Sequence, residues 1–182
     1  MKSVLWAAAL AVLPLMAGCG GRSGSEAAGT DSTTVAAPAA PQGPAADPAS
    51  NSRAEAEIDG HRYEVAMRRY ADKGGDVVRS ELGEESYDNC VDVTILRDGS
   101  AFKKKTFTKS DFADFLSDTD RAVSVLQGMA FTGADDEGLH FAAQVGERDA
   151  EGGMAFIVTV STDGIVSVVR DYNQDTTGSA SR

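Results

Sequence analysis

The chain has 182 residues, with 17 Lys and Arg against 28 Asp and Glu, for a formal charge of −11. That length allows one ordinary domain, and the charge argues against a nucleic-acid or anionic-lipid surface, which would need a basic patch to release counterions. Cys19 and Cys90 are the only thiols, too few for a disulfide framework or a Cys-rich zinc site once Cys19 is assigned to lipid.

Met1-Lys2-Ser3 is a short basic start, and Val4 to Met16 follows as a 13-residue run without charge. A bilayer span needs about 20 apolar residues, so this run fits the h-region of a secretory signal. Leu15-Met16-Ala17-Gly18-Cys19 then resembles the lipobox of bacterial lipoproteins, in which the Cys19 thiol takes a diacylglycerol. Several acyl chains on one Cys make a durable anchor, at about 0.8 kcal/mol per buried methylene. By resemblance to lipoprotein sorting in Gram-negative bacteria, the lack of Asp after Cys19 implies the outer membrane. The lack of an acidic cluster there favours its periplasmic face over the cell surface.

From Gly20 to Arg53 the chain is mostly Gly, Ala, Ser, Thr and Pro. Too little apolar surface is available there to offset chain entropy, so residues 19–53 are expected to be a lipidated Cys and a disordered tether. Asp31-Ser32-Thr33 within it resembles a short O-glycosylation acceptor, a tripeptide that also occurs often by chance.

A single domain is expected over 54–175, with a polar tail at 176–182. Tyr63, Val65 and Met67 alternate with Arg62, Glu64, Ala66 and Arg68, the period of a half-buried strand. Asp72 to Gly75 reads as a turn, Asp76 to Ser80 as a short strand and Glu81 to Asn89 as a polar loop. Val91 to Arg97 and Ser100 to Phe107 flank Asp98-Gly99, which predicts a type I′ hairpin with Ile95 opposite Phe102 and Asp92 opposite Lys105. The Lys103-Lys104-Lys105 run suits protection of a sheet edge better than an anionic-ligand site. Thr108 and Asp111 form an Asp version of a capping box, with Phe107 and Phe112 at the staple positions. Phe112, Phe115 and Leu116 would make one apolar helical face, and a second short helix is expected from Thr119 to Gly128.

Leu139, Phe141, Ala143 and Val145 alternate as a strand, and Gly146 to Gly153 connects onward. Met154 to Thr162 and Ile165 to Tyr172 flank Asp163-Gly164, read as a second hairpin of the first kind, with Val169 joining Phe156, Val158 and Val160 on one face. The expected fold is α+β: a mostly antiparallel sheet of about six or seven strands built from hairpins, with one or two short helices between two sheet sections.

Candidate chemistry is sparse. His61 and His140 are the only imidazoles, and spacing gives neither a nucleophile nor an orienting partner. His140 is expected on the solvent side of its strand, opposite Leu139 and Phe141. Cys90, flanked by Asp88 and Asp92, lacks the cationic neighbours of a reactive thiol and is expected to be buried. Asp171-Tyr172-Asn173-Gln174-Asp175 opens like a calcium loop, but Thr176 stands where Gly is required and Arg182 where Glu is required. Cys19, as the lipidation site, is the one functional residue the sequence supplies; no catalytic, cofactor-binding or metal residue is identified and no cofactor is expected.

Tyr87-Asp88-Asn89, Arg97-Asp98-Gly99-Ser100, Thr106-Phe107-Thr108-Lys109 with Phe112, Leu126-Gln127-Gly128-Met129 and Asp163-Gly164, together with the lipobox and the Pro/Ala tether, resemble small lipoproteins of the Bacteroidetes type that carry an uncharacterised domain, a domain of unknown function. That resemblance spans about Ile58 to Asp175 and implies a fold and an address without a catalytic residue. The expected function is a non-catalytic binding or interaction module, anchored to a membrane through Cys19 and facing an envelope protein, glycan or small ligand, with no nucleic acid. The alternative is a periplasmic or surface hydrolase whose site is not visible in the sequence.

Overall fold

The computed structural model describes residues 43–150 and 152–173. The signal segment, Cys19, Asp31-Ser32-Thr33, most of the tether, Gln174-Asp175 of the calcium-like stretch and the 176–182 tail lie outside the described residues.

Among the described residues, ten strands form three antiparallel sheets. The first sheet takes β1 (Ser50–Ile58), β2 (His61–Ala71), β5 (Asn89–Arg97) and β6 (Ser100–Phe107) in the order β1-β2-β5-β6. A small hairpin, β3 (Val77–Arg79) with β4 (Glu85–Tyr87), is inserted between β2 and β5. A 3-10 helix at Lys109–Phe115 and the α-helix α1 (Asp118–Val123) lead to the second sheet. There β7 (Val125–Asp135), β8 (Gly138–Gly146), β9 (Met154–Ser161) and β10 (Val166–Arg170) follow as an up-and-down meander.

The α+β expectation of six or seven strands is corrected. Strand takes 59% and helix 10% of the described residues, which makes this an all-β domain. Three strands escaped the sequence reading. Asp59 and Gly60 both have positive φ and turn β1 into β2 as a two-residue hairpin, since both positions of a type I′ turn need that conformation. β4 is only three residues long and polar. β7 absorbs Leu126-Gln127-Gly128, expected as the end of a helix, because Val125 and Leu126 are fully buried and pair with β8. Tertiary burial overrides local propensity at such mixed positions. β1 begins at Ser50, so the last residues read as tether are strand.

The two large sheets share one core. Tyr63, Val65 and Met67 of β2 and Val91, Val93 and Ile95 of β5 meet Leu139, Phe141 and Val145 of β8 and Phe156, Val158 and Val160 of β9. The period-2 pattern thus sets the inner face in both sheets. Tyr63 is among the most buried residues at 1% exposure, edge-on to Phe102 at 5.6 Å. The 3-10 helix covers one end of this core: Phe112 is fully buried and sits 4.9 Å from the Phe156 ring. Asp111 accepts the Thr108 backbone N–H at 2.9 Å, the expected capping contact. α1 is capped in the same way by Ser117 and Asp120.

Two registers differ from expectation. Asp98 and Gly99 do form a positive-φ turn, but a bulge after it shifts the pairing by one, so Ile95 faces Lys103 and Asp92 faces Thr106. Lys103 and Lys105 consequently lean to the inner side of edge strand β6, half-buried, with Lys105 2.7 Å from Asp111. Inward-leaning charge blunts an exposed sheet edge. At Asp163-Gly164 only the glycine has positive φ, and the Ser161 N–H donates to the Ile165 carbonyl across a three-residue loop. The added residue flips every following side chain. Val166 and Val168 therefore pack against the core, and Val169 faces outward opposite Ile157.

Candidate functional site

Small residues dominate the outer face of the second sheet. Ala130, Ala142, Ile157 and Val169 lie in one cross-strand row, and the next row holds His140, Thr159 and Ser167. Ala142 on β8 beside the larger Ile157 and Val169 lines an open trough of about 780 Å³. Ile157 is 37% and Val169 51% exposed, so the trough has an apolar floor facing solvent.

His140 is where the sequence placed it, on the face opposite Leu139 and Phe141, but it has partners. Its Nε2 is 2.8 Å from Asp135 Oδ1, and its Nδ1 is 3.1 Å from Thr159 Oγ1. With Nε2–H donated to the carboxylate, Nδ1 is left to accept the Thr159 hydroxyl, a tautomer assigned by the network. Asp135 is at hand because Asp136-Glu137 is a two-residue turn between β7 and β8, and the Glu137 N–H also donates to it at 2.9 Å. The His140 and backbone hydrogen bonds hold the Asp135 carboxyl below the usual carboxylate range. The constellation is thus an acid, an imidazole and a hydroxyl in series.

Acyl transfer would also require donors aimed at a developing oxyanion. β9 is paired on both sides, to β8 and to β10, which commits its backbone N–H groups around Thr159 to the ladders. The β9 backbone N–H groups around Thr159 are therefore not free to serve as such donors.

His61 joins two turns. Its Nδ1 is 2.6 Å from Asp98 Oδ2, while Asp98 Oδ1 accepts the Arg62 N–H at 3.0 Å. These bonds lower the Asp98 pKa. Cys90 is 6% exposed, and burial, with Asp72 and Asp88 next in weight, pushes its thiol up to about 11. It is the inert thiol expected. Among the described residues no group of His, Cys, Asp and Glu is arranged to hold a metal. Tyr70 is half-buried, with the Arg68 guanidinium over its ring.

A second polar centre was missed by sequence reading. Asp47 lies in the segment leading to β1, and its carboxylate accepts from Arg148 Nε at 2.9 Å, Asn89 Nδ2 at 3.0 Å and Arg69 Nη1 at 3.4 Å. Nearby, Ala45 bridges β4: its N–H donates to the Glu85 carbonyl and its carbonyl accepts the Tyr87 N–H, both at 2.8 Å. Residues 45–47 are thereby fastened to the domain. The contacts that make this centre reach 22, 42 and 101 positions along the chain, and no local signal in a Pro/Ala-rich stretch announces it.

No curated protein matches the chain. Residues 30–168 match a family model described as a domain of unknown function, DUF4738; this covers well over half of the sequence, and the chain belongs to that family.

Proposed function

We propose that this protein is a lipid-anchored component of a bacterial cell envelope whose β domain is a binding module, held by Cys19 to the outer membrane on its periplasmic face. The anchor reading is supported by Leu15-Met16-Ala17-Gly18-Cys19 after an apolar run too short to span a bilayer. The observation that carries the binding reading is the open trough on the second sheet, where Ile157 and Val169 lie exposed beside the His140 and Thr159 row. Exposed apolar side chains rimmed by fixed polar groups are the usual make-up of a recognition surface.

A photo-crosslinking residue placed at Ile157 in the native chain tests it, with Cys19→Ala as the unanchored control. A reproducible partner captured at Ile157 in intact envelopes, and lost in Cys19→Ala, supports both halves of the reading. Capture at background level refutes the binding surface, and palmitate incorporation unchanged by Cys19→Ala refutes the anchor.

The Asp135–His140–Thr159 series favours a second reading, a hydrolase using Thr159 as nucleophile. Covalent labelling of Thr159 by an activated acyl ester, lost in His140→Gln, would establish it. Absence of labelling leaves the series as the polar edge of a binding surface.

A further inference from the structure

The second sheet ends on β10, with no further strand beside it. The Asp171 N–H donates to the Ala155 carbonyl and the Ser161 N–H to the Ile165 carbonyl, so the odd-numbered residues carry the ladder to β9. In an antiparallel ladder the alternate residues aim both backbone groups away from the neighbouring strand. Val166 and Val168 therefore present N–H and C=O groups along the open edge, with no hydrogen-bond partner among the described residues.

The other edges of the two large sheets are guarded. β1 carries exposed Arg53, Glu55 and Glu57, β6 carries Lys103, Lys104 and Lys105, and two register shifts break β7. Charges and bulges of this kind keep an edge from pairing. β10 pairs without a shift along its 5 residues, and Arg170 at its end is its one charge. Apolar surface also lies open on both sides of this edge. Val169 is exposed on the outer face beside Ile157. On the inner side Val166 and Val168 stay half-buried although they pack against the core, and the 3-10 helix that carries exposed Phe115 touches β10.

A strand laid along β10 would satisfy the open backbone groups and cover both surfaces. Charge selects its composition. Asp135, Glu137 and Asp171 line the outer trough, and no Lys or Arg does. A second copy of β10 would bring Ser167, Val169 and Asp171 to that face, with no cation among them. We propose that the occupant is an extended segment of another polypeptide with alternating apolar and basic residues, added antiparallel to β10, its apolar side chains over Val166 and Val168 and its basic ones towards Asp171. This rests on the reading of the trough as a binding surface and names the chemistry of the partner.

Titration of the full chain carrying Cys19→Ala with the capped peptide Lys-Val-Lys-Val-Lys-Val, at about 0.15 M salt to screen distant charge, provides the test. Saturable binding is expected, at least about tenfold tighter than for Glu-Val-Glu-Val-Glu-Val, with amide exchange slowed at Val166 and Val168. The basic peptide N-methylated at its valines keeps its charge but cannot donate to β10, and should bind at least about tenfold more weakly. Equal affinity for it would reduce the binding to attraction by a chain of net charge −11 and overturn the proposal. Val168→Pro removes one outward N–H, a change that an edge strand tolerates, and should weaken binding about tenfold in a protein that still melts cooperatively. Slow exchange at Val166 and Val168 in the free monomer, or a dimer lost in Val168→Pro, would assign the edge to this chain itself and likewise overturn it. Partner capture at Ile157 in envelopes without binding of the basic peptide would overturn the added strand and leave the binding surface standing; failure of both would remove the surface as well.

Discussion

Replacing Asp47 by Ala removes a carboxylate that three donors share: Arg148, Asn89 and Arg69. The centre is partly buried, with side-chain exposures of 16% for Asp47 and 25% for each arginine. A fully buried ion pair broken on one side costs about 3–5 kcal/mol, and an exposed one about 0–1 kcal/mol. Partial exposure places Asp47→Ala between these limits, at about 2–3 kcal/mol, in line with hydrogen bonds to a charged group. Much of that cost is the two arginines and the Asn89 amide left short of a partner, and Asn89 Oδ1 is already unpaired. For a domain of this size the loss corresponds to a fall of about 8–12 °C in melting temperature. Urea melts of wild type, Asp47→Ala and Asp149→Ala provide the measurement. Asp149 is the other carboxylate on Arg148, but it is 71% exposed, and its removal should cost no more than about 0.5 kcal/mol. Amide exchange at Tyr87, whose N–H donates to Ala45, should accelerate in Asp47→Ala alone. Equal stability of the two variants, or unchanged exchange at Tyr87, would refute the account of Asp47 as the fastening of this segment.

Gly138→Ala should destabilise by at least about 2 kcal/mol, because φ is +146° and an added Cβ would lie 2.3 Å from the Val160 carbonyl oxygen; a urea midpoint within error of wild type would contradict the β8–β9 register. Cys90 should resist maleimide labelling at pH 8 in the folded protein and label fully in denaturant, as follows from a thiol pushed up to about 11; the folded pKa is raised, so its contribution to stability is complete below the unfolded thiol pKa and fades as pH rises towards 11. The lowered Asp135 and Asp98 pKa values have the opposite sign. Their stabilisation is complete above the unfolded carboxylate value of about 3.9 and is lost as pH falls below it, so Asp135→Asn should flatten the acid limb of a pH–stability profile; an unaltered limb would count against the His140 hydrogen bond.

What the sequence by itself determined was local. Period-2 alternation placed Tyr63, Val65, Met67, Leu139, Phe141, Val145, Phe156 and Val158 on the inner faces, and all are buried. Asp98-Gly99 declared its turn, and Thr108 with Asp111 declared the cap. These features act through nearest neighbours, so a single sequence carries them. Asp59-Gly60 carried the same signal between strands and could have been read.

Tertiary structure decided the rest. Val125 and Leu126 suit a helix or a strand, and only the vacant edge beside β8 made them strand. A bulge in one hairpin and an added loop residue in another moved Lys103 and Val169 to faces the simple count did not give them, since one residue of slip exchanges the two sides of a sheet. His140 met Asp135 across a turn and Thr159 across a ladder, and Asp47 met Arg148 across 101 positions. Such contacts arise from the packing of elements distant in the chain, and no pattern within any one element encodes them.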